Sequence, residues 1–464
     1  MKKKRTYGTV PVQSLNLAPL LERLAGTVVL ALDIAKTAMV FAVADIGGEV
    51  HALVRFSHPK ETSIFLVLVE RLLELGRTVE AVMEPTGSYG DALRYQLRKR
   101  GVPVFLADAK RTHDMRAVLD GVDSMHDPKA CTVIAGLHSR KLTSPWRERT
   151  VLDEETRALL DEHALSADPL EVLHGRLEAI LGASWPELND MFDQRARWPL
   201  HLLMKYPSAA EVRANLPAAR ALLHRVTRNS MDSERIEEVL ACATESVGAE
   251  LPEPRRRYLQ LLVEEMLELD HRVTQVEKRM RALCKNGPAL DATDMHSAED
   301  ETKGARAGEA ENSDVHGTEK ESLTLIAEVV GPAAALAIFA DLGSPCQYGS
   351  AAALEKAAGL NLREVSSGKR TGQLHITKRG PPRVRAYMYL AALRLLKFSP
   401  LVRAWFEGRS SGPGAKKRAV VALTRKLLRA LFHVAKGAPF QVEKLFDARK
   451  LVLTDKPKET LRAA

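Results

Sequence analysis

Cysteine is scarce in this sequence. The four cysteines, Cys131, Cys242, Cys284 and Cys346, are far apart, so neither a disulfide framework nor a cysteine metal site is expected, which fits a reducing cytosol. The sequence also lacks an apolar run of about 18 residues, and this lack argues against a membrane span. The basic start, 1–5, is not followed by the apolar core of a secretory signal. The sequence therefore predicts a cytoplasmic protein.

Acidic residues are nearly missing from one long segment of a basic chain. The net charge is +9 and the pI about 9.3. Residues 363–436 contain 18 Lys and Arg against two acids, a net charge of +16, whereas 286–321 have a net charge of −7. A solvated helix face is the simplest interpretation of scattered charge. Positive charge concentrated in one segment instead favours a nucleic-acid partner.

The pattern of apolar runs predicts an α/β domain at 27–145, followed by mainly helical regions. Apolar runs at 27–33, 38–45 and 49–56 read as strands, and helix, strand, helix and strand patterns follow at 61–76, 78–84, 87–100 and 103–107. Gly47-Gly48 predicts a hairpin turn. This order is typical of a ribonuclease-H-like domain, in which the first and fourth strands lie side by side.

Three carboxylates occupy positions where rigid elements would hold them. Asp33 ends the first predicted strand, Glu84 ends the fourth, and Asp127 opens a helix with Pro128 in its first turn. Taken singly, each has a plain explanation as a turn or capping residue. Together they offer the hard oxygen ligands that Mg²⁺ prefers for phosphodiester chemistry. Ala130, one helical turn after Asp127, supplies no fourth carboxylate.

Two nearby side chains are weak substitutes for that missing ligand. Asp123 and His126 precede the helix, but neither lies at helical spacing from Asp127. A second candidate centre is Ser367, in a polar, glycine-containing stretch. A serine acts as a nucleophile only when it is activated and the developing charge is stabilised. An ordinary turn is the alternative interpretation of Ser367.

Basic residues near Ser367 and beyond it are candidates for holding phosphates. Those nearest to the serine would bind a scissile phosphate, and the others lie on the following helices. The predicted nucleic-acid-binding residues are Lys369, Arg370, Lys378, Arg379, Arg383, Arg385, Lys416, Lys417 and Arg418.

A heptad pattern ends the helical middle region, 146–285. Its apolar seam consists of Leu259, Leu262, Met266, Leu269, Val273, Val276, Met280 and Leu283. A coiled coil that joins copies of the chain and a single long helix packed on its own domain both fit this pattern. The remaining predicted segments are a basic tail (1–26), a disordered acidic linker (286–321), a C-terminal domain (322–450) and a charged tail (451–464).

Several motifs together resemble a known family. The N-terminal ones are Leu32-Asp33-Ile34-Ala35-Lys36, Met83-Glu84-Pro85-Thr86-Gly87-Ser88-Tyr89 and His126-Asp127-Pro128-Lys129; the C-terminal ones are Ala358-Gly359-Leu360, Ser367-Gly368, Gly372, Ile376-Thr377-Lys378-Arg379-Gly380 and Arg383-Val384-Arg385. In this order they resemble the DEDD transposases of insertion-sequence families 110 and 1111, to which Piv-type DNA invertases are related. The resemblance covers about 27–145 and 322–436.

The resemblance implies a concrete activity. The family joins a RuvC-like domain of ribonuclease-H fold to a transposase domain with a catalytic serine, and it recombines DNA through a serine–DNA intermediate. By position, Asp33, Glu84 and Asp127 match catalytic Mg²⁺ ligands, and Ser367 matches the nucleophile. The implied partners are DNA, a bridge RNA that selects the DNA sequences, and further copies of the chain in dimers or tetramers. The implied location is the bacterial cytoplasm, at the nucleoid when DNA is bound.

Two departures from the family pattern keep other functions open. The final acidic residue of the family falls on Ala130, and the glycine-rich segment before Gly331-Pro332 is eroded. An active transposase or recombinase is the first hypothesis. A catalytically inactive or repurposed member that binds DNA and RNA is the second, and a RuvC-like nuclease without a covalent serine is the third.

Overall fold

The computed structural model describes residues 7–24, 26–85, 87–191, 196–286, 309–367 and 370–446. For 309–318, Val365, Ser367, Arg370, Thr371 and Gln373 it describes the backbone only. The chain divides into two compact units, Met1–Glu148 and Arg149–Ala464. The predicted tail at 451–464 and the first part of the predicted linker, 287–308, lie outside the described residues.

The first unit is built on a seven-stranded sheet in the order β1-β4-β3-β2-β5-β6-β7. Its strands are β1 (Val10–Pro11), β2 (Thr27–Asp33), β3 (Ala38–Asp45), β4 (Val50–Ser57), β5 (Thr78–Met83), β6 (Val104–Leu106) and β7 (Ser144–Pro145). Its helices are α1 (Ala18–Leu21), α2 (Thr62–Glu74), α3 (Asp91–Lys99), α4 (Ala109–Asp120) and α5 (Asp127–Ser139). The hairpin predicted at Gly47-Gly48 joins β3 to β4, which pair antiparallel. The predicted neighbours, β2 and β5, pair in parallel.

Alternation along β2 gives the sheet two buried faces. Successive side chains of a strand point to opposite faces. Val28, Leu30 and Leu32 pack in one core with residues of α2 and α3. Val29 and Ala31 pack in the other core, with residues of α5. Asp33 continues this second series, so the strand delivers its carboxylate to the side of the sheet that α5 covers.

The second unit is mainly helical. Its helices are α6 (Val151–Ser184), α7 (Pro186–Met191), α8 (Trp198–Lys205), α9 (Ala209–Ala214), α10 (Leu216–Val226), α11 (Ser233–Thr244), α12 (Glu253–Asn286), α13 (Glu309–Val330), α14 (Pro332–Leu342), α15 (Ala351–Ala357), α16 (Pro382–Phe398), α17 (Pro400–Glu407) and α18 (Ala415–Val434). A hairpin of β8 (Leu362–Ser367) and β9 (Arg370–Ile376) separates α15 from α16. Residues of the predicted middle and C-terminal regions share one core, in which α6 and α12 pack with α14, α16 and α18.

The heptad seam packs within its own chain. α12 is one long helix, and Leu259, Met266, Val276 and Leu283 along the seam are each at most 5% exposed. Its first half packs in a core with residues of α8 and α10, and its second half packs with residues of α6 and α14. The structure therefore supports the single packed helix and not a coiled coil through which copies of the chain associate.

Part of the predicted acidic linker is helical. α13 begins at Glu309 and runs into the predicted C-terminal domain, so the prediction of disorder is wrong for 309–321. Its later residues Leu323 and Ile326 are fully buried in the core of the second unit. Gly331, at φ 86°, separates α13 from α14, and Pro332 is the first residue of α14. In the part of the chain that the structure describes, no helix is long and apolar enough to cross a membrane.

Candidate active site

Asp33 and Glu84 lie at the same edge of the sheet. Leu32 of β2 and Met83 of β5 are partners in a parallel pair, and each carboxylate is the next residue along its strand. Alternation also assigns them to one face, because Glu80 and Val82 of β5 contact α5 residues, as Val29 and Ala31 of β2 do. Two neighbouring strands therefore present two carboxylates toward α5.

The third carboxylate, Asp127, lies at the start of α5. Asp127 is the first residue of this helix and is exposed, and His126 caps the helix by accepting a hydrogen bond from the backbone N–H of Lys129. Burial, followed by the negative charges of Asp127 and Glu84, raises the pKa of Asp33 from 3.8 to about 6. Asp127 and Glu84 are therefore each close enough to Asp33 to repel it, as like charges that share a site do.

A buried network fixes the loop that leads into α5. The Lys129 side chain is fully buried, and its Nζ donates to Oδ1 of Asp120 at 2.7 Å and to the carbonyl of Val122 at 2.6 Å. The Tyr7 hydroxyl donates to the other oxygen of Asp120 at 2.8 Å. These bonds hold the pKa of Asp120 at about 2. Sequence inspection missed this network because its members are distant in the chain.

Arg94 holds the loop that follows Glu84. Its side chain is 5% exposed, and Nη2 donates to Oδ1 of Asp91 at 2.7 Å and to the carbonyl of Gly87 at 3.0 Å. An arginine in this position restrains the backbone that carries Glu84. The sequence offered only an Asp-Arg pair at i,i+3 spacing as a signal.

The acidic set has the chemistry of a divalent-metal site. Negative charge crowded around Asp33 is what a hard cation bound to oxygen ligands would neutralise. The carboxylates are more widely spaced than a compact ligand group. Among the described residues, a compact group of possible metal ligands is found at Asp45, Glu49 and His51, which close the β3–β4 turn. The ligand atoms of these three side chains all lie within 4.8 Å of one another.

Position 130 is part of the packed face of α5. Ala130 is 7% exposed, so the position of the missing carboxylate is occupied by a methyl group in the interior. Each predicted substitute already has a partner within the protein. Asp123 accepts a hydrogen bond from Arg116 at 2.6 Å, and His126 caps the helix.

Ser367 ends β8 in the second unit. Gly368 and Lys369 follow it outside the described residues, and Arg370 begins β9. The neighbouring Ser366 is engaged, because its hydroxyl donates to Glu364 at 2.5 Å and accepts from the Gly372 N–H at 3.1 Å. The polar, glycine-containing stretch thus forms a hairpin, in which Ser367 of β8 pairs with Arg370 of β9.

Two glycines close the base of this hairpin. A Cβ on Gly380 would lie 2.2 Å from the carbonyl oxygen of Ala357, and one on Gly359, at φ 69°, would lie 2.7 Å from the backbone nitrogen of Arg379. Arg385 donates to the carbonyl of Gly380 at 2.6 Å. Close approach of the two backbones explains the glycines in this motif.

The predicted nucleic-acid-binding residues divide into two groups. Lys378, Arg379, Lys416, Lys417 and Arg418 are exposed, as a phosphate contact requires. Arg383 and Arg385 are half-buried and bind groups within the protein, so they are weaker candidates for a phosphate contact. Arg383 forms a two-bond ion pair with Asp341, at 2.7 and 3.1 Å, and also bonds to Asp161, while Arg385 donates to backbone carbonyls. Lys369 lies outside the described residues, and for Arg370 only the backbone is described.

Comparison with known families gives a match in the C-terminal region of the chain. Residues 326–407, which include the β8–β9 hairpin and Ser367, match the model of the transposase IS116/IS110/IS902 family. The match is confined to the C-terminal region, and it supports the resemblance of the chain to IS110-family transposases. It supports the general function of an insertion-sequence transposase, an enzyme that cuts and rejoins DNA. None of the curated proteins matches the chain.

Proposed function

We propose that this transposase cuts and rejoins DNA with Ser367 as the nucleophile and with Mg²⁺ held by Asp33, Glu84 and Asp127. The observation that carries the proposal is that β2, the end of β5 and the start of α5 bring these three carboxylates toward one another. Burial, followed by the charges of Asp127 and Glu84, raises the pKa of Asp33 to about 6. The resemblance of the first unit to a RuvC-like, ribonuclease-H-fold domain is consistent with its strand order.

The serine step transfers one phosphodiester bond. The Oγ of Ser367 attacks the phosphorus of the DNA backbone, the bond from phosphorus to the leaving sugar oxygen breaks, and the serine proton ends on that oxygen. The energy of the phosphodiester is kept in the serine–DNA linkage. A hydroxyl of a second strand then attacks the same phosphorus, which restores Ser367 and joins the strands.

The role of the acidic site is to stabilise, through bound Mg²⁺, the negative charge that develops during this strand exchange. Mg²⁺ bound there would stabilise negative charge on the attacking and leaving oxygens. Asp33 must be ionised to bind the ion, and Asp127 adds its charge at the N-terminus of α5. The Lys129–Asp120 ion pair and the Arg94–Gly87 hydrogen bond keep two of the three carboxylate-bearing segments in place.

We also propose that nucleic acid binds along the basic C-terminal segment and that a bridge RNA selects the DNA. The exposed Lys416, Lys417 and Arg418 lie in the first turn of α18, within the segment of +16 net charge. RNA guidance assigns sequence choice to base pairing and leaves backbone contacts to the protein. A dimer or tetramer would use a surface other than the seam of α12, which is buried.

Strand exchange with a matched pair of acidic variants tests the metal site. Purified protein, RNA transcribed from the sequence flanking the gene, donor DNA and Mg²⁺ are combined, and joined product is measured. Asp33→Asn is expected to lower the yield about a hundredfold, the scale of losing one electrostatic contribution to catalysis. Asp45→Asn alters the other acidic group and is expected to leave the yield unchanged. The reverse pattern would move the active metal site to the β3–β4 turn.

The second candidate function is binding of DNA and RNA without strand exchange. The observation that favours it is Ala130, a buried methyl group where the family has its last acidic residue. Full binding of RNA and DNA, with no joined product from the wild-type protein at any Mg²⁺ concentration, would establish this alternative.

A further inference from the structure

A pocket at the C-terminal end of α18 combines positive charge with an apolar wall. Its volume is about 510 Å³, within the usual size range of ligand pockets. Four of its lining side chains are basic: Lys426, Arg429, His433 and Lys444. Pro439 and Phe440 are among its apolar residues. Among the described residues, none of those that line it is acidic.

The positive charge of this pocket is only partly neutralised. Of the lining residues, Arg429 has an ion pair with Glu355 at 3.7 Å, but Glu355 pairs more closely with Arg425, at 2.6 Å. Burial, and then the charges of Arg409, Arg429 and Arg425, lower the pKa of Lys426. Crowded cations of this kind create a site that gains energy from binding an anion.

Free donors remain for such an anion. The ammonium of Lys426 carries three hydrogens, and the structure uses one of them for the carbonyl of Leu445, at 2.7 Å. Lys444 and His433 are exposed at the rim. A phosphate entering here would meet several cationic donors at once, and the group attached to it would lie against Phe440.

We propose that this pocket binds a single nucleotide of an unpaired nucleic-acid strand, with its phosphate on Lys426, Arg429 and Lys444 and its base against Phe440. The proposal rests on the proposed function only in taking nucleic acid as the ligand. Bases of an unpaired strand stack on aromatic side chains, while a basic groove follows the backbone. Stacked bases of a duplex do not enter a pocket, so single strands are the ligand that fits.

Binding of the full chain to short oligo(dT) and oligo(U) tests the pocket. Lys444→Gln and Arg429→Gln are each expected to weaken binding about tenfold, the value of one charged hydrogen bond. Each should also reduce the slope of log affinity against log salt by about 0.7, the value for one phosphate on a single strand. Lys205→Gln, an exposed lysine on α8, is the matched control and should change neither quantity.

The two oligonucleotides separate the possible sources of the nucleotide. Loss with oligo(U) alone assigns the pocket to RNA, loss with oligo(dT) alone assigns it to DNA, and loss with both assigns it to either. No loss with either oligonucleotide overturns the proposal. An equal loss with a duplex of the same length overturns the requirement for an unpaired strand.

Photocrosslinking locates the base without any substitution. An oligonucleotide with one thio-substituted pyrimidine is irradiated with the wild-type protein, and the attached peptide is identified by mass spectrometry. Attachment within 437–446, which contains Phe440, is expected, and attachment only elsewhere would overturn the proposal. A covalent protein–DNA adduct that is lost in Ser367→Ala would test the serine nucleophile without depending on the pocket, so each proposal can fail alone.

Discussion

The fully buried ammonium of Lys129 and the carboxylate of Asp120 form an ion pair of 2.7 Å across the loop that precedes α5. Lys129 is two residues after Asp127, so this ion pair fixes the position of the first turn of α5, which carries the third carboxylate of the site. The carboxylate of Asp120 also accepts a bond from Tyr7. The buried lysine thus supports the acidic site by holding the loop that precedes Asp127.

Lys129→Met is expected to lower the melting temperature by a few degrees and to reduce strand exchange, most clearly at low Mg²⁺. The substitution keeps the apolar stem but leaves Asp120 and the Val122 carbonyl without their buried donor. Lys110→Met is the control, because Lys110 forms an exposed pair with Asp114 within one helix. Equal effects of the two substitutions would show that the buried pair has no special role.

Asp33 gives the metal-free protein a stability that depends on pH. Its folded pKa of about 6 lies above the ordinary 3.8, so the native state holds a proton that the unfolded state releases. Stability from this group is therefore greatest below pH 4, falls as pH rises toward 6 and is constant above that. In the presence of EDTA, Asp33→Asn should melt above wild type at pH 7.5, and the difference should vanish near pH 4.

Magnesium should reverse this order. The ion needs the ionised carboxylate, so Mg²⁺ at pH 7.5 is expected to raise the melting temperature of wild type and not that of Asp33→Asn. Asp114→Asn serves as the control, since hydrogen bonding to Lys110 lowers the pKa of Asp114. A wild-type melting temperature that depends neither on pH nor on Mg²⁺ would contradict the proposed metal site.

Arg383→Gln is expected to destabilise the second unit without weakening nucleic-acid binding. It breaks the two-bond ion pair with Asp341, whose side chain is 9% exposed, and costs roughly 2–3 kcal/mol in urea unfolding. Arg403→Gln, an exposed arginine on α17, is the control and should cost less. The combined change of Lys416 and Lys417 to glutamine should instead weaken binding and leave stability near wild type. If Arg383→Gln instead weakened nucleic-acid binding without a loss of stability, Arg383 would be a nucleic-acid contact, as the sequence predicted.

Ala130→Asp is expected to strengthen Mg²⁺ binding and raise strand exchange. The new carboxylate lies one helical turn after Asp127, and because Ala130 is 7% exposed, its charge is tolerated best with a cation beside it. The variant should therefore melt below wild type in EDTA and recover in Mg²⁺. Ala130→Asn, of the same size and uncharged, is the control. No gain in a sensitive assay would favour an inactive binding protein over a weakened enzyme.

The sequence predicted the core of the first unit well. Apolar runs predicted β2, β3, β4 and β5. Asp33 is the last residue of β2 and Glu84 directly follows β5, so the parallel pairing of these two strands brings both carboxylates to one edge of the sheet. The short β1 and β7 escaped prediction because strands of two residues leave no periodic signal. The Lys129–Asp120–Tyr7 network escaped because it is tertiary.

In the second unit, local patterns were less informative. The β8–β9 hairpin has a polar sequence without the apolar alternation of a sheet strand, and the side chains described in it are mostly exposed. The heptad pattern of α12 predicted a buried face correctly. A pattern of this kind does not reveal whether the covering helix belongs to the same chain, and here it does. Charge likewise failed to distinguish Arg383, which pairs with Asp341, from the exposed Lys416.

Trapping of a covalent protein–DNA adduct tests the central claim, the serine nucleophile, most directly. Wild type, Ser367→Ala and Ser366→Ala are incubated with flanking-sequence RNA, donor DNA and Mg²⁺ and separated on a denaturing gel. The account predicts a DNA-shifted band for wild type and Ser366→Ala, abolished by EDTA and absent from Ser367→Ala. A band that persists in Ser367→Ala, or that is lost only in Ser366→Ala, would contradict it.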